Sequence, residues 1–296
     1  MSQEHLDPHL MHDPPKPVSR AGRDLPAAIA VGVGLLAAVV VTLGWFHWGF
    51  TLLVAVALSF AAHELYQALK RIGMTAAIWP IIIGTVAIQV ASYYVSLNPD
   101  RGLGAAPTLL ALLSLTVIAS LIFRLRGGPQ GFVKDAAASL FIVAYVSLLG
   151  AAVPLMLGGE QGKERVIAFI VCVAANDTGG YVAGVLFGKH KMAPVISPKK
   201  TWEGLAGSVV FAVGVGVLMA MWLLGASWWV GVVLGLAMVA FGTCGDLIES
   251  MIKRDVGIKD MSSFLPGHGG VMDRLDSLLV AAPVAWLVLY LTVPGG

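Results

Sequence analysis

Charge is what this chain has least of: acidic and basic residues fill 12% of its 296 positions, against 57% hydrophobic residues. Together with a mean hydropathy of +0.84, that scarcity excludes an ordinary soluble domain, while the charges gathered between the apolar runs exclude a simple anchor. The chain reads as a polytopic membrane protein. Its formal net charge of +2 says little by itself, and no nucleic-acid partner is expected. Cysteine is nearly absent too. Cys172 and Cys244 both lie inside apolar runs without a C-x-x-C pair, so they read as core filler rather than redox or zinc residues. There is no G-x-x-x-x-G-K-[ST] loop and no H-E-x-x-H pair, which leaves P-loop and zinc-hydrolase chemistry without support. The first 25 residues are rich in Pro, His, Asp and Arg and have no apolar core. They read as a disordered, solvated tail, not a signal peptide.

What is present in abundance is apolar sequence. About twenty residues are needed to cross roughly 30 Å of hydrocarbon, and nine segments qualify: 26–44, 48–68, 74–97, 105–123, 135–157, 164–188, 204–225, 227–250 and 275–293. The fold class is therefore all-α, a single transmembrane domain over 26–296 behind the tail 1–25. With the N-terminus inside, alternate loops place 16 of the 19 Lys and Arg on the inner side, leaving Arg101, Lys163 and Arg165 outside. This asymmetry supports nine segments in an N-in, C-out arrangement. The first three segments read as scaffold, with Gly32, Gly34, Ala37 and Ala38 letting helices approach. His63 and Glu64, near the inner end of the second segment, could touch substrate, but a helix end reaching the interface explains them as well. Trp45, Trp48, Trp79, Trp228 and Trp229 lie near segment ends and suit an interfacial belt.

Against this background Gly245–Ser277 is anomalous, with ten charged side chains between two apolar runs. A helix continued to Arg254 places Asp246, Glu249, Ser250 and Lys253 within roughly a 100° arc. Asp273 and Asp276 repeat the i, i+3 spacing on the next helix, and a Gly-rich turn between them can bring the carboxylates together. Carboxylates this close repel, and near hydrocarbon they are costly, so the cluster makes sense mainly with bound cations. Oxygen ligands suit Mg²⁺ or another hard divalent cation, which commonly shares substrate phosphates. Asp177 is a further intramembrane acid, roughly 20 Å into its segment at 1.5 Å per residue, and such a residue is a functional candidate by default. The adjacent Lys199 and Lys200 offer donors to phosphate, although Lys at an inner interface is also ordinary topology.

The run Ser250-x-x-Lys253-Arg254-x4-Lys259-Asp260-x5-Pro266-Gly267-His268-Gly269-Gly270-x-x-Asp273-Arg274-x-Asp276-Ser277 resembles the signature of the CDP-diacylglycerol synthases, also called phosphatidate cytidylyltransferases. Asn176-Asp177-Thr178-Gly179-Gly180-Tyr181 and Ser197-Pro198-Lys199-Lys200-Thr201-Trp202-Glu203-Gly204 are similar to other segments of that family. The motifs cover residues 176–277, and the first half resembles the family only in hydropathy.

The resemblance implies that CTP and phosphatidate give CDP-diacylglycerol and pyrophosphate, a lipid phosphate oxygen attacking the α-phosphorus of CTP. It implies catalytic roles for Asp246, Lys253, Asp273 and Asp276, with Asp246, Asp273 and Asp276 as ligands of Mg²⁺ or another divalent cation and Asp177 as substrate contact or fourth ligand. Lys253, Arg254, Lys259 and Arg274 would hold phosphates, as would Ser197, Lys199, Lys200 and Thr201. Ser250, His268, Gly269 and Gly270 would bind substrate, and Glu203 would cap a helix or reach the metal. A second cation and a homodimer are left open. The partners implied are CTP, phosphatidate in the inner leaflet and membrane lipids. The setting is the bacterial inner (plasma) membrane, with the site facing the cytoplasm. Two alternatives keep the membrane setting: a CTP-dependent polyprenol or phytol kinase, and a cation-coupled transporter using the acids as ion sites. No inverted repeat between halves supports the transporter.

Overall fold

A computed structural model describes residues 25–98, 100, 104–265 and 267–293. Except for Leu25, the expected tail lies outside the described residues. An apolar chain in lipid must satisfy its backbone polar groups internally, and helices do so within each segment. The helices are α1 (Leu25–Trp45), α2 (His47–Arg71), α3 (Ile78–Leu97), α4 (Ala105–Leu125), α5 (Phe132–Ile142), α6 (Ala152–Gly158), α7 (Gly162–Phe187), α8 (Trp202–Leu218), α9 (Trp228–Asp255) and α10 (Met272–Thr292). A π-helical segment, Val143–Leu148, joins α5 toward α6, so Phe132–Gly158 crosses as one span. Among the described residues eight helical spans are long and apolar enough to cross a membrane, and the first helix adds a shorter apolar stretch, Ile29–Trp45. The all-α reading stands.

Two buried clusters hold the helices together. One gathers Met156, Phe169, Val173, Leu234, Met238, Ala285 and Leu289 from α6, α7, α9 and α10. The other gathers Leu65, Ile81, Ile142, Val146, Met272 and Leu279 from α2, α3, α5 with its π segment, and α10. Helix α10 contributes to both and so ties the two halves of the chain. Its approach to α9 is close: a Cβ on Gly245 would collide with the Asp276 backbone, as small residues at membrane helix contacts permit. The expected close approach at Gly34 is not found among the described residues, where a Cβ built on it would meet nothing within 4 Å. Trp45, Trp79, Trp228 and Trp229 are exposed close to helix ends.

The stretch between α7 and α8, read from the sequence as a loop, is a two-stranded antiparallel hairpin, β1 (Lys191–Ala193) with β2 (Ser197–Thr201). Its base closes where Trp202 N–H donates to the His190 carbonyl at 3.0 Å. The hairpin carries both lysines of the second motif toward α9.

Candidate active site

A cavity of about 310 Å³ opens between α7, the hairpin, α8 and α9. Asp177 and Tyr181 of α7, Ser197, Lys199, Lys200 and Thr201 of β2, and Asp246 of α9 line it. Residues from three separated motifs therefore share one space. Lys200 Nζ lies 2.7 Å from Asp246 Oδ2, and Asn176 Nδ2 donates to Asp177 Oδ1 at 2.9 Å. Asn176 is itself fixed, its carbonyl accepting from Ser208 Oγ of α8 at 2.7 Å. Thr201 faces the cavity and also caps α8, its Oγ1 accepting from Gly204 N–H at 3.1 Å. The N-cap is thus Thr201, and Glu203 stands in the first turn of α8. Its carboxylate lies 2.6 Å from His190 Nδ1 and accepts the His190 N–H, fastening the base of the hairpin.

The charged face of α9 forms as its spacing predicts, and α10 answers it. Lys253 Nζ donates to Asp273 Oδ1 at 2.9 Å and also pairs with Glu249, a fully buried carboxylate. Asp276 stands where the charges of Asp246 and Asp177 repel its own. Three acids thus converge from α7, α9 and α10, with Lys200 and Lys253 as the flanking cations. Ser250 Oγ donates to Asp246 Oδ1 at 3.4 Å. Arg254 Nε reaches the Ile196 carbonyl at the tip of the hairpin, at 3.5 Å. Arg274 Nε donates to the His268 carbonyl at 2.9 Å, the His268 ring lies against Gly32 of α1, and Lys259 is exposed on the loop.

Asp273 differs from the other acids. Besides Lys253 on Oδ1, its Oδ2 accepts the N–H groups of Met261 at 2.9 Å and Gly270 at 2.8 Å. It holds the loop between α9 and α10 closed. Gly269, at φ +81°, and Gly270 let that loop pass over two carboxylates: a Cβ on Gly269 would approach Asp273, and one on Gly270 would run into Glu64.

Glu64 is the residue that sequence reasoning missed. It is not a helix end at the interface but a carboxylate 5% exposed. Its oxygens accept from Ser262 Oγ at 2.6 Å, Val271 N–H at 3.0 Å and Met272 N–H at 2.8 Å, so α2 caps the first turn of α10. The signal was available, because Glu64 shares the helical stripe of Ala61, Leu65 and Ala68, all buried.

Among the described residues no three His, Cys, Asp or Glu side chains are gathered tightly enough to enclose a metal ion. The expected trio Asp246, Asp273 and Asp276 is divided accordingly: Asp246 and Asp276 sit in mutual repulsion, whereas Asp273 is engaged by Lys253 and the loop backbone.

Clustered acids and lysines around one cavity of an apolar helical bundle fit an integral membrane enzyme that works on phosphate groups. The model of the cytidylyltransferase family matches residues 26–292, and this chain belongs to that family. It is 40% identical to the phosphatidate cytidylyltransferase of Mycobacterium leprae over 298 residues, covering 95% of this chain and 92% of that protein. The phosphatidate cytidylyltransferase of Mycobacterium tuberculosis strain H37Rv is 38% identical over 282 residues, 94% of this chain and 86% of that protein. In Staphylococcus epidermidis the protein of the same name is 40% identical over 159 residues, 53% of this chain and 60% of that protein. This membership favours the transferase over the lipid-kinase and transporter alternatives.

Proposed function

We infer that the chain transfers a cytidylyl group from CTP to phosphatidate, giving CDP-diacylglycerol and pyrophosphate. The observation that carries this reading is the meeting of Asp177, Lys199, Lys200 and Asp246 around one cavity, from elements far apart in sequence. A phosphate oxygen of the lipid attacks the α-phosphorus of CTP, the new P–O bond forms, and the bond to the β-phosphate breaks. The attacking oxygen is already ionised, so no strong base is needed. What the protein must supply is neutral charge and in-line placement. Lys199 and Lys200 hold phosphate from the hairpin side; Lys253, aimed by Glu249 and Asp273, holds it from the α9 side.

A divalent cation fits this site through Asp246 and Asp276, with Asp177 beside them. Mutually repelling carboxylates are the donor set Mg²⁺ accepts, using one or two of them together with substrate phosphates. Bound there, it would neutralise charge developing on the phosphates. Asp273 serves as the anchor of Lys253 rather than as a ligand.

The proposed orientation puts the hairpin and the α9–α10 loop at the cytoplasmic face of a bacterial plasma membrane, where CTP is found and the phosphatidate of the inner leaflet presents its headgroup. Bonds between loops assigned to that side support their lying on one face, Lys134 Nζ to the Ile72 carbonyl at 2.9 Å and Arg254 Nε to the Ile196 carbonyl at 3.5 Å, and the asymmetry of Lys and Arg assigns the side. Purified protein given phosphatidate, Mg²⁺ and CTP labelled at the α-phosphorus should put label into the lipid. Lipid labelled only from γ-labelled CTP would indicate a kinase and overturn the reading.

A further inference from the structure

A second cavity, of about 440 Å³, opens where α3 and α5 begin and α4 ends. It shares no lining residue with the cavity described above. Gly84 of α3 lies so close to α4 that a Cβ on it would collide with the Thr116 side chain. That contact sets the register of the two helices and brings the start of α3 opposite the end of α4, where the cavity lies.

Its wall is amphipathic. Ala76, Ala77 and Phe123 supply apolar surface, and Arg124, Arg126 and Asp135 supply charge. The two arginines do different work. Arg124 is committed to structure: Nε donates to Asp135 Oδ2 at 2.7 Å, one terminal nitrogen to the Gly128 carbonyl at 3.2 Å and the other to the Gln130 carbonyl at 2.7 Å. Asp135 is neutralised by this pairing, and its Oδ1 accepts Thr75 N–H at 2.6 Å. Arg126 is exposed, with its Cζ 5.2 Å from the centre of the Phe123 ring. A ring attracts the charge of a guanidinium without using its N–H donors, which remain for an acceptor.

Charge around the cavity is one-sided. Segments 70–77 and 123–135 carry Lys70, Arg71, Arg124, Arg126 and Lys134 against a single acid, Asp135. Lys134 Nζ ties the two segments together through the Ile72 carbonyl, at 2.9 Å. Toward the spans the neighbours are apolar and exposed: Trp79 of α3, and Ile122 and Leu125 of α4. Helix α4 buries only Thr116 and Ser120, so most of it is open to lipid. Cations at the end of a span are ordinary topology. A cavity between spans with an apolar floor and a basic rim goes beyond what topology requires, and it has the form of a phospholipid headgroup site.

We propose that this cavity binds one anionic phospholipid, with the lipid phosphate on Arg126 and the glycerol and first acyl carbons against Phe123, Ala76 and Ala77. A free phosphate ion would satisfy the arginine but leave the apolar floor wet. A zwitterionic lipid would cover the floor but bring its own cation to a basic rim. An anionic lipid meets both demands. The site is separate from the cytidylyl transfer proposed above and does not depend on it.

The test places the full chain in phosphatidylcholine nanodiscs with increasing phosphatidylglycerol, whose phosphate is already a diester and so is no substrate for the proposed transfer. A ligand that binds the folded state raises the thermal midpoint with its concentration. The wild type should show a rise that saturates. Arg126→Glu should lose most of that rise and Arg126→Lys should keep part of it. Lys191→Glu, which changes an exposed cation on the β1–β2 hairpin, should keep all of it. Where Arg126→Glu lowers the midpoint in phosphatidylcholine alone, Arg126→Gln takes its place. No rise in the wild type overturns the proposal, as does a rise that the Arg126 variants retain in full or that Lys191→Glu loses equally. So does a rise matched by inorganic phosphate in phosphatidylcholine discs, which makes the site one for a soluble anion. A rise found only in discs holding two copies gives the face to a second chain and overturns it as well. Turnover of CTP and phosphatidate in separate discs reports on the transfer reaction: its absence, with the rise intact, would leave the lipid site standing.

Discussion

Lys200 Nζ and Asp246 Oδ2 are 2.7 Å apart, joining β2 to α9 across the mouth of the cavity. The pair neutralises both groups: on the proposed function, the cation that would hold phosphate rests on the acid that would hold the metal. Arrival of a nucleotide with a divalent cation would then exchange both partners at once, Lys200 taking a phosphate and Asp246 the cation. The exchange costs little, because a partly exposed ion pair contributes only about 0–1 kcal/mol.

Lys200→Ala should therefore raise KM for CTP by at least about tenfold, the loss of one charge-assisted bond of roughly 1.5–3 kcal/mol, while the thermal midpoint hardly moves. Lys199→Ala, which lines the cavity without that ion pair, should show a similar but smaller effect. Steady-state kinetics at limiting CTP check both, and normal kinetics in both variants would reduce these lysines to topology.

Asp246→Asn and Asp276→Asn should lower activity by orders of magnitude and regain part of it in excess Mg²⁺, because the change removes charge opposing the cation. Asp273→Asn should lose activity too, but without recovery in Mg²⁺, since its oxygens hold Lys253 and the N–H groups of Met261 and Gly270. A Mg²⁺ titration of the three variants distinguishes the roles. Recovery of Asp273→Asn alone would return it to the metal and remove the assignment made here.

Glu64→Gln should destabilise the protein by about 1–3 kcal/mol, the usual cost of leaving buried donors without a matched acceptor, although Glu64 lies outside the cavity lining. Thermal unfolding in detergent would read this as a lowered midpoint. No change would mean that the first turn of α10 does not depend on α2.

Single cysteines at Ser2 and Gly296, in a background without Cys172 and Cys244, should label from opposite sides of the membrane in intact cells. Labelling from the same side would show that one of the nine segments does not cross.

Much of this architecture was legible because bilayer physics is blunt. Long apolar runs become helices, and the span Phe132–Gly158 agrees with the expected 135–157 despite its π turn. The charged face of α9 was equally readable from an angular period. Asp273 was not, since its partners are backbone N–H groups of a Gly-rich loop, and no side-chain spacing reports where a loop's amides will point. The hairpin escaped because Lys199, Lys200 and Thr201 form a strand too short and too polar to show an alternating apolar face.

The position of Glu64 has an electrostatic consequence for the whole site. The amino end of a helix is a natural seat for an anion, carrying unpaired N–H groups and roughly half a positive charge. In α10 that seat faces the Gly-rich loop, where a triphosphate would be expected to settle, yet it is already taken: Glu64 receives Val271 N–H and Met272 N–H. The Glu64 carboxylate of α2 thus occupies the amino end of α10, and on the proposed function substrate phosphates would be left to side-chain ammonium groups and a divalent cation. Affinity for them would then depend on groups that can be exchanged or titrated with Mg²⁺ rather than on the backbone.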